Sequence, residues 1–226
     1  MKELITNIRI QVNPNIYLKD PESSGLGKRI VTGAIELMVE IGFEQFTFRK
    51  LAVHIGSTEA SVYRYFESKH MLLLYLTAWY WRWMEYRLVF ALANIPSAEE
   101  RLKRAIHLLT AEVVQDGAYA HINERLLSQV VITDSSKAYL TREVDAQNSL
   151  GAFLGYKELV QRVVNVLLEL APDYKYPHML LSTVIEGAHH QRFFADHLPR
   201  LTDVVEGEDA VVQFYTELVC KAIRES

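Results

Sequence analysis

Cysteine is almost absent from the 226 residues, with Cys220 alone. A single thiol excludes an intrachain disulfide and a thiolate metal cluster, reads as a buried helical thiol, and favours a reducing compartment. Positive charge is not in surplus either: 24 Lys and Arg stand against 28 Asp and Glu, for a net charge of -4. That excludes a protein which coats nucleic acid with its whole surface, so any DNA contact must come from a local patch. Residues 1–70 carry nine positive and eight negative side chains, and residues 71–226 carry fifteen and twenty, an asymmetry of the right sign for such a patch. Long apolar runs are missing as well. The most apolar stretch, "MLLLYLTAWYW", stops at Arg82, short of the roughly 20 residues that span a bilayer. The opening "MKELITNIRIQVN" has no apolar core of the secretory kind. The expectation is a soluble, cytoplasmic protein with no membrane partner.

Period-two alternation is confined to "IRIQV", where Ile8, Ile10 and Val12 alternate with polar residues. A single strand with no mate in its own chain must pair with a symmetry-related copy, dock as an arm, or stay loose. What the chain has instead is helical spacing, and 50% hydrophobic residues with which to build a core. Leu26, Ile30, Ala34, Leu37, Met38 and Ile41 recur at that spacing, with Ser23 or Ser24 as cap and Gly42 as stop. Thr47 caps a short second helix that ends at Gly56, and Thr58 caps a third with Val62 and Phe66 facing in. A long fourth helix runs from about Ser68 to Ala93. Further helices are expected near 97–115, 119–132, 136–170, 177–197 and 208–224, with breaks at Gly117, "TDSS", "APDYKYP" and "LPRLTDVVEGED". The fold class is therefore all-α, about nine helices: residues 1–24 an extension, 25–70 a three-helix domain, 71–226 a larger helical domain.

Two short helices across one glycine, from Thr47 to Phe66, match a helix-turn-helix. In that arrangement the first helix buries an apolar face, and the second is held with its outer face free for the major groove of double-stranded DNA. Here the outer face carries Thr58, Glu59, Ala60, Ser61, Tyr63 and Arg64. Thr47, Arg49 and Lys69 stand at helix starts, where free N–H groups favour phosphate. Glu59 can accept from a cytosine amino group, Ser61 can reach a base edge, and Ala60 suits a thymine methyl. A purely structural hairpin has no reason to turn these residues outward.

The residues "GFEQFTFRKLA" and "IGSTEASVYRYFESKHMLL" resemble the tetracycline-repressor-like (TetR/AcrR) transcriptional regulators, over about fifty positions that include Gly42, Phe43, Thr47, Leu51, Ala52, Gly56, Tyr63, Phe66 and Lys69. The resemblance implies an all-helical homodimer with an N-terminal DNA-binding domain and a divergent C-terminal ligand-binding domain, usually a repressor. Ser57 and Ala60 depart from the family pattern, so base preferences cannot be carried over from other members. The role of the first 24 residues is not given by the resemblance. Lys2, Arg9 and Lys19 suit a minor groove, whereas Glu3, Asp20 and Glu22 cancel that charge and suit docking or dimer pairing.

Three further features carry expectations. The aromatic run Tyr75 to Tyr86 is either a packing stripe or the wall of a cavity for a small apolar or amphipathic ligand, with Trp83, His107, Phe153 and Tyr156 as lining. The last two helices, "MLLSTVIEGA" and "AVVQFYTELVCKAI", are apolar over too wide an arc for one contact. Gly187, Ala188 and Phe214 are accordingly expected at a homodimer interface that places two recognition helices on a palindromic operator. Glu186 with His189 or His190 shares a helix face, which keeps open a metal-dependent helical enzyme. No partner motif accompanies it, so neither catalysis, metal nor cofactor is expected. A non-DNA-binding interaction protein with a relic helix-turn-helix is the other alternative.

Overall fold

The structure, a computed structural model, describes residues 10–115, 119 and 121–224. Among these there are eleven α-helices and no strand: α1 Gly25–Gln45, α2 Phe48–His54, α3 Glu59–Tyr63, α4 Lys69–Leu92, α5 Ala98–Thr110, α6 Glu124–Asp134, α7 Ser136–Tyr139, α8 Val144–Ser149, α9 Leu154–Leu170, α10 Pro177–His197 and α11 Ala210–Arg224. The all-α expectation holds. The count exceeds nine because the stretch 136–170 is three helices, broken by the turn after Tyr139 and by Gly151 at φ 79°. Helix α6 begins at Glu124 because the Asn123 side chain caps it, accepting from the Leu126 N–H. The expected break at Gly117 lies outside the described residues.

The chain forms two compact units. The first reaches to Arg82 and takes in Val113–Gly155; the second takes Trp83–Glu112 and the residues from Tyr156 onward. Helix α4 supplies its start to the first unit and its end to the second. Within the first unit, Leu72 to Trp81 are buried on every side of α4, as befits a helix apolar all round. Tyr75 packs edge-on against Phe66 and Trp79 against Tyr119, with ring centroids 5.3 and 5.2 Å apart. On these residues the aromatic run is a packing stripe.

The expected strand is an irregular arm. Ile10, Val12 and Ile16 are buried without strand pairing, and Ile8 lies outside the described residues. Two single turns of 3-10 helix, Pro14–Ile16 and Pro21–Ser23, carry the arm to α1, with Asn13 and Asp20 capping them. Ser24 then caps α1 by accepting from the Gly27 N–H at 3.0 Å. Gly27 has no room for a side chain, because a Cβ would run into the Pro21 carbonyl.

In the second unit, polar ties fix the helices. Arg192 of α10 donates to the Thr110 carbonyl at the end of α5, at 2.7 Å, and to Asp209 at 2.7 Å. Burial raises the Asp209 pKa, but the Arg192 and Val212 N–H bonds outweigh it and hold the carboxyl below its ordinary value. Arg101 of α5 grips Glu169 of α9 with both ends of its guanidinium.

Gly27→Ala should push the Pro21–Ser23 turn off α1 and cost about 1–3 kcal/mol of stability, the range for overpacking. Urea unfolding of the variant beside the parent measures it; an unchanged midpoint would show the arm yields freely.

Candidate nucleic-acid interface

The interface is built from burial outward. Phe48, Leu51 and Ala52 sink one face of α2, and Val62, Tyr65 and Phe66 sink the inner face of α3 and the turn after it. Thr47 caps α2 by accepting from the Lys50 N–H, and Thr58 caps α3 by accepting from the Ser61 N–H. Between them the chain turns at Gly56, whose φ of 62° suits glycine. Ser57 N–H closes that turn onto the Ala52 carbonyl at 2.8 Å. The sequence therefore contains both caps, the turn residue and the inward apolar set.

What remains outward is the set expected from sequence. Thr47, Arg49, Thr58, Glu59, Ala60, Tyr63 and Arg64 are exposed, and Ser61 and Lys69 are half-buried. Tyr63 is 48% exposed although its ring leans on Phe48, centroids 4.9 Å apart. The hydroxyls of Thr58 and Ser61 bond each other at 2.8 Å, so Ser61 reaches a partner only by sharing or giving up that bond. Lys69 donates to the carbonyls of Phe43 and Glu44 at 3.0 and 3.2 Å, and its ammonium lies 4.6 Å from the centre of the Phe43 ring. It sits at the C-terminal end of α1, where the helix dipole favours a cation, with one of its three hydrogens left for another acceptor. Lys50 and Val53 are exposed on the same helix as Arg49. The basic doublet Arg49–Lys50 was a signal that could have added Lys50 to the set.

The ligand candidates are scattered. Trp83 is fully buried, His107 exposed and Tyr156 half-buried in the second unit, while Phe153 belongs to the first. Tyr156 donates to Glu186 at 3.0 Å. None of the four lines either of two described cavities, of about 260 Å³ beside the arm and about 360 Å³ beside Arg200 and Phe214. At the expected dimer surface Phe214 is 57% exposed, whereas Ala188 is buried. The open side of Gly187 is filled by the Tyr215 ring of the same unit, which a Cβ would strike.

Among the described residues no group of three or more His, Cys, Asp or Glu is placed to hold a metal ion. Glu186 is engaged by Tyr156, and the exposed His190 stacks on Phe194 with centroids 6.0 Å apart. His189 is buried, and that desolvation pushes its imidazole down to about 4, with nearby His190 lowering it further and Glu186 opposing. No helix among the described residues is long and apolar enough to cross a membrane.

Residues 30–76 match the bacterial regulatory proteins of the tetR family. Among curated proteins nothing matches the sequence. Solved structures do share the fold. The superantigen PfiT is 18% identical, with a TM-score of 0.58 over 92% of this chain and 100% of that one. The transcriptional regulator FadR from Bacillus subtilis, in complex with stearoyl-CoA, is 14% identical, with a TM-score of 0.59 over 86% of this chain and 96% of that one. AibR, in complex with isovaleryl coenzyme A and operator DNA, is 15% identical, with a TM-score of 0.52 over 86% and 96%. At such identities the likeness carries fold alone, and fold does not fix function.

Since the His189 imidazole is depressed in the folded state, the unfolded chain takes up its proton first as pH falls. Stability should be fully present above about 6.5 and decline as pH drops toward about 4, by an amount on the order of 3 kcal/mol. His189→Leu should flatten that part of the profile in urea unfolding followed from pH 7 to pH 4; an unchanged slope would place the titration elsewhere.

Proposed function

We infer that this chain, a member of the tetR family of bacterial regulatory proteins through its residues 30–76, is a cytoplasmic DNA-binding transcriptional regulator. It acts as a ligand-responsive repressor and homodimer on a palindromic operator, and not as an enzyme. The observation that carries this reading is the outward face of the helix-turn-helix. Thr47, Arg49, Thr58, Glu59, Ala60, Tyr63 and Arg64 stand exposed on two capped helices whose other sides are buried. Arg49, Thr47 and Lys69 take phosphates and set register, while Glu59, Ala60 and Ser61 read base edges. Arg64 and Tyr63 lie at the far end of the same helix and serve either purpose.

Residues 25–70 form the DNA-binding domain and 71–226 the ligand-binding and dimerisation domain in this reading. The dimer uses the uncovered side of α10 and α11, where Phe214 is 57%, Leu218 37% and Met179 68% exposed. Gly187 and Ala188 serve the packing of α10 inside its own subunit, leaving Phe214 as the expected interface residue that points outward. A two-fold contact on this surface buries it without a second protein. It holds two recognition helices about 34–36 Å apart, or a multiple of that. The ligand is a small apolar or amphipathic molecule. The bound stearoyl-CoA and isovaleryl coenzyme A of two fold neighbours support a ligand with an acyl part.

Selection from random DNA should yield a palindrome. On it, Arg49→Ala should weaken binding to all sequences alike and lower the salt slope by about 1. Glu59→Ala should instead change preference at single base pairs by about 1–3 kcal/mol. Absence of any selected sequence would remove the reading in favour of an interaction protein. Light scattering should give the mass of two subunits, and Phe214→Asp with Leu218→Asp should give one; a parent protein of single-subunit mass at micromolar concentration would rule out the dimer.

A further inference from the structure

We infer that the N-terminal arm, residues 10–24, is a clamp that sets the pose of the recognition helix α3, and that Tyr65 is the positioning residue it grips. This rests on the DNA-binding reading above, but concerns residues outside the matched 30–76 segment on the arm side. Tyr65 lies two residues past the end of α3 and is 3% exposed. Three separate constraints from the arm meet on it. The Leu18 N–H donates to the Tyr65 carbonyl at 2.8 Å. The Ser24 and Tyr65 hydroxyls share a hydrogen bond of 2.7 Å. The Lys19 ammonium lies 5.1 Å from the centre of the Tyr65 ring, over its face. The first fixes the backbone where the helix ends, the second its ring tip, the third its ring face. Tyr65 N–H and Phe66 N–H both return to the Val62 carbonyl of α3, so whatever moves Tyr65 moves the helix.

The same arm is tied elsewhere. Glu22 pairs with His121 at 2.7 Å across 99 residues of sequence. Asn13 packs against Gly151 where a Cβ would stand. His121 is itself held to α1, its carbonyl accepting from the Thr32 hydroxyl. The arm thus joins the segment Val113–Gly155 to the end of the recognition helix, by a route independent of α4. Between these ties Ile16 is fully buried and the Tyr17 ring meets Tyr75 edge-on, centroids 6.0 Å apart. A cavity of about 260 Å³, lined by Ile10, Val12, Pro14, Tyr17 and Tyr75 among others, runs along it. A strap fastened along its length shifts as a unit, carrying displacement of His121 or Gly151 to Tyr65.

The test uses the full chain and its selected operator. Tyr65→Phe keeps the ring and the Leu18 bond but loses the Ser24 bond. Specific affinity should fall about fivefold, the effect of one hydrogen bond, and deletion of residues 2–19 should lower it further. Binding to non-specific DNA and its salt slope should stay as in the parent, since no phosphate contact is lost. Ser24→Thr, which retains the hydroxyl, should bind as the parent does. Unchanged specific affinity in both Tyr65→Phe and the deletion, with circular dichroism intact, overturns the clamp. So does an equal loss on specific and non-specific DNA with a reduced salt slope, which would make the arm's cations direct phosphate contacts instead. Failure of the parent to bind any DNA removes the DNA-binding reading first and the clamp with it.

Discussion

Val62 and Phe66, both without exposed surface, keep a helix of five residues in place, since a helix that short loses more in nucleation than its own hydrogen bonds return. Everything else on the outward face follows from that burial. With Val62 turned in, residues 59, 60, 63 and 64 must turn out, and the Thr58 cap fixes where the helix starts. Phe48 on the preceding helix carries the load sideways, holding the Tyr63 ring edge-on. The face is rigid because its inner side is a solid apolar wedge, and because the residues just past it are fastened as well.

A chain of net charge -4 places its cations unevenly on this face. Arg49 and Arg64 are exposed. Lys50 and Lys69 are both spent in part on carbonyls at the end of α1, at Gln45 and at Phe43 and Glu44. Those are the last carbonyls of α1, short of helical donors as at any helix end, just past the kink at Gly42, φ 74°. The end of α1 thus collects two ammonium groups at the edge of the helix-turn-helix, where terminal carbonyls and the helix dipole favour them. They contribute positive potential there while also fixing the entry to α2. A substitution of Lys69 would therefore loosen α1 as well as lower the charge, which makes Arg49 the cleaner probe of phosphate contact.

Local chemistry was legible in the sequence, and distant contact was not. Thr47 and Thr58, and Ser23 or Ser24, could be named as caps because a cap bonds within three residues, and Gly56 as the turn because a helix that ends there suits a residue free to take a positive φ. The inward Val62 and Phe66 follow from spacing alone. The division of 136–170 is hidden because a helix-favouring composition conceals the interruptions after Tyr139 and at Gly151, and the start of α6 because a cap at Asn123 looks like any loop asparagine. Alternation of Ile8, Ile10 and Val12 fits a paired strand and a docked arm equally, so the pattern leaves open which of them forms. Nothing in the order of residues announces that Glu22 meets His121, or that Tyr215 fills the side of Gly187.

That last contact decides which surface of the second unit is free. Gly187 and Ala188 looked like a place for close helix approach, and they are one, but the helix that approaches is α11 of the same chain. Arg192 holds this arrangement by binding the end of α5 and Asp209 just before α11. Partly buried pairs of that kind fix register more than they add stability. With α11 locked in this register, Tyr215 and Val219 point inward and Phe214 and Leu218 are left outward. A half-turn of slip would bury Phe214 and expose Tyr215 instead. The apolar surface left uncovered on α11 is therefore a consequence of the Arg192 clamp, and it could not be assigned from the apolar pattern of α11 alone, which is compatible with either register.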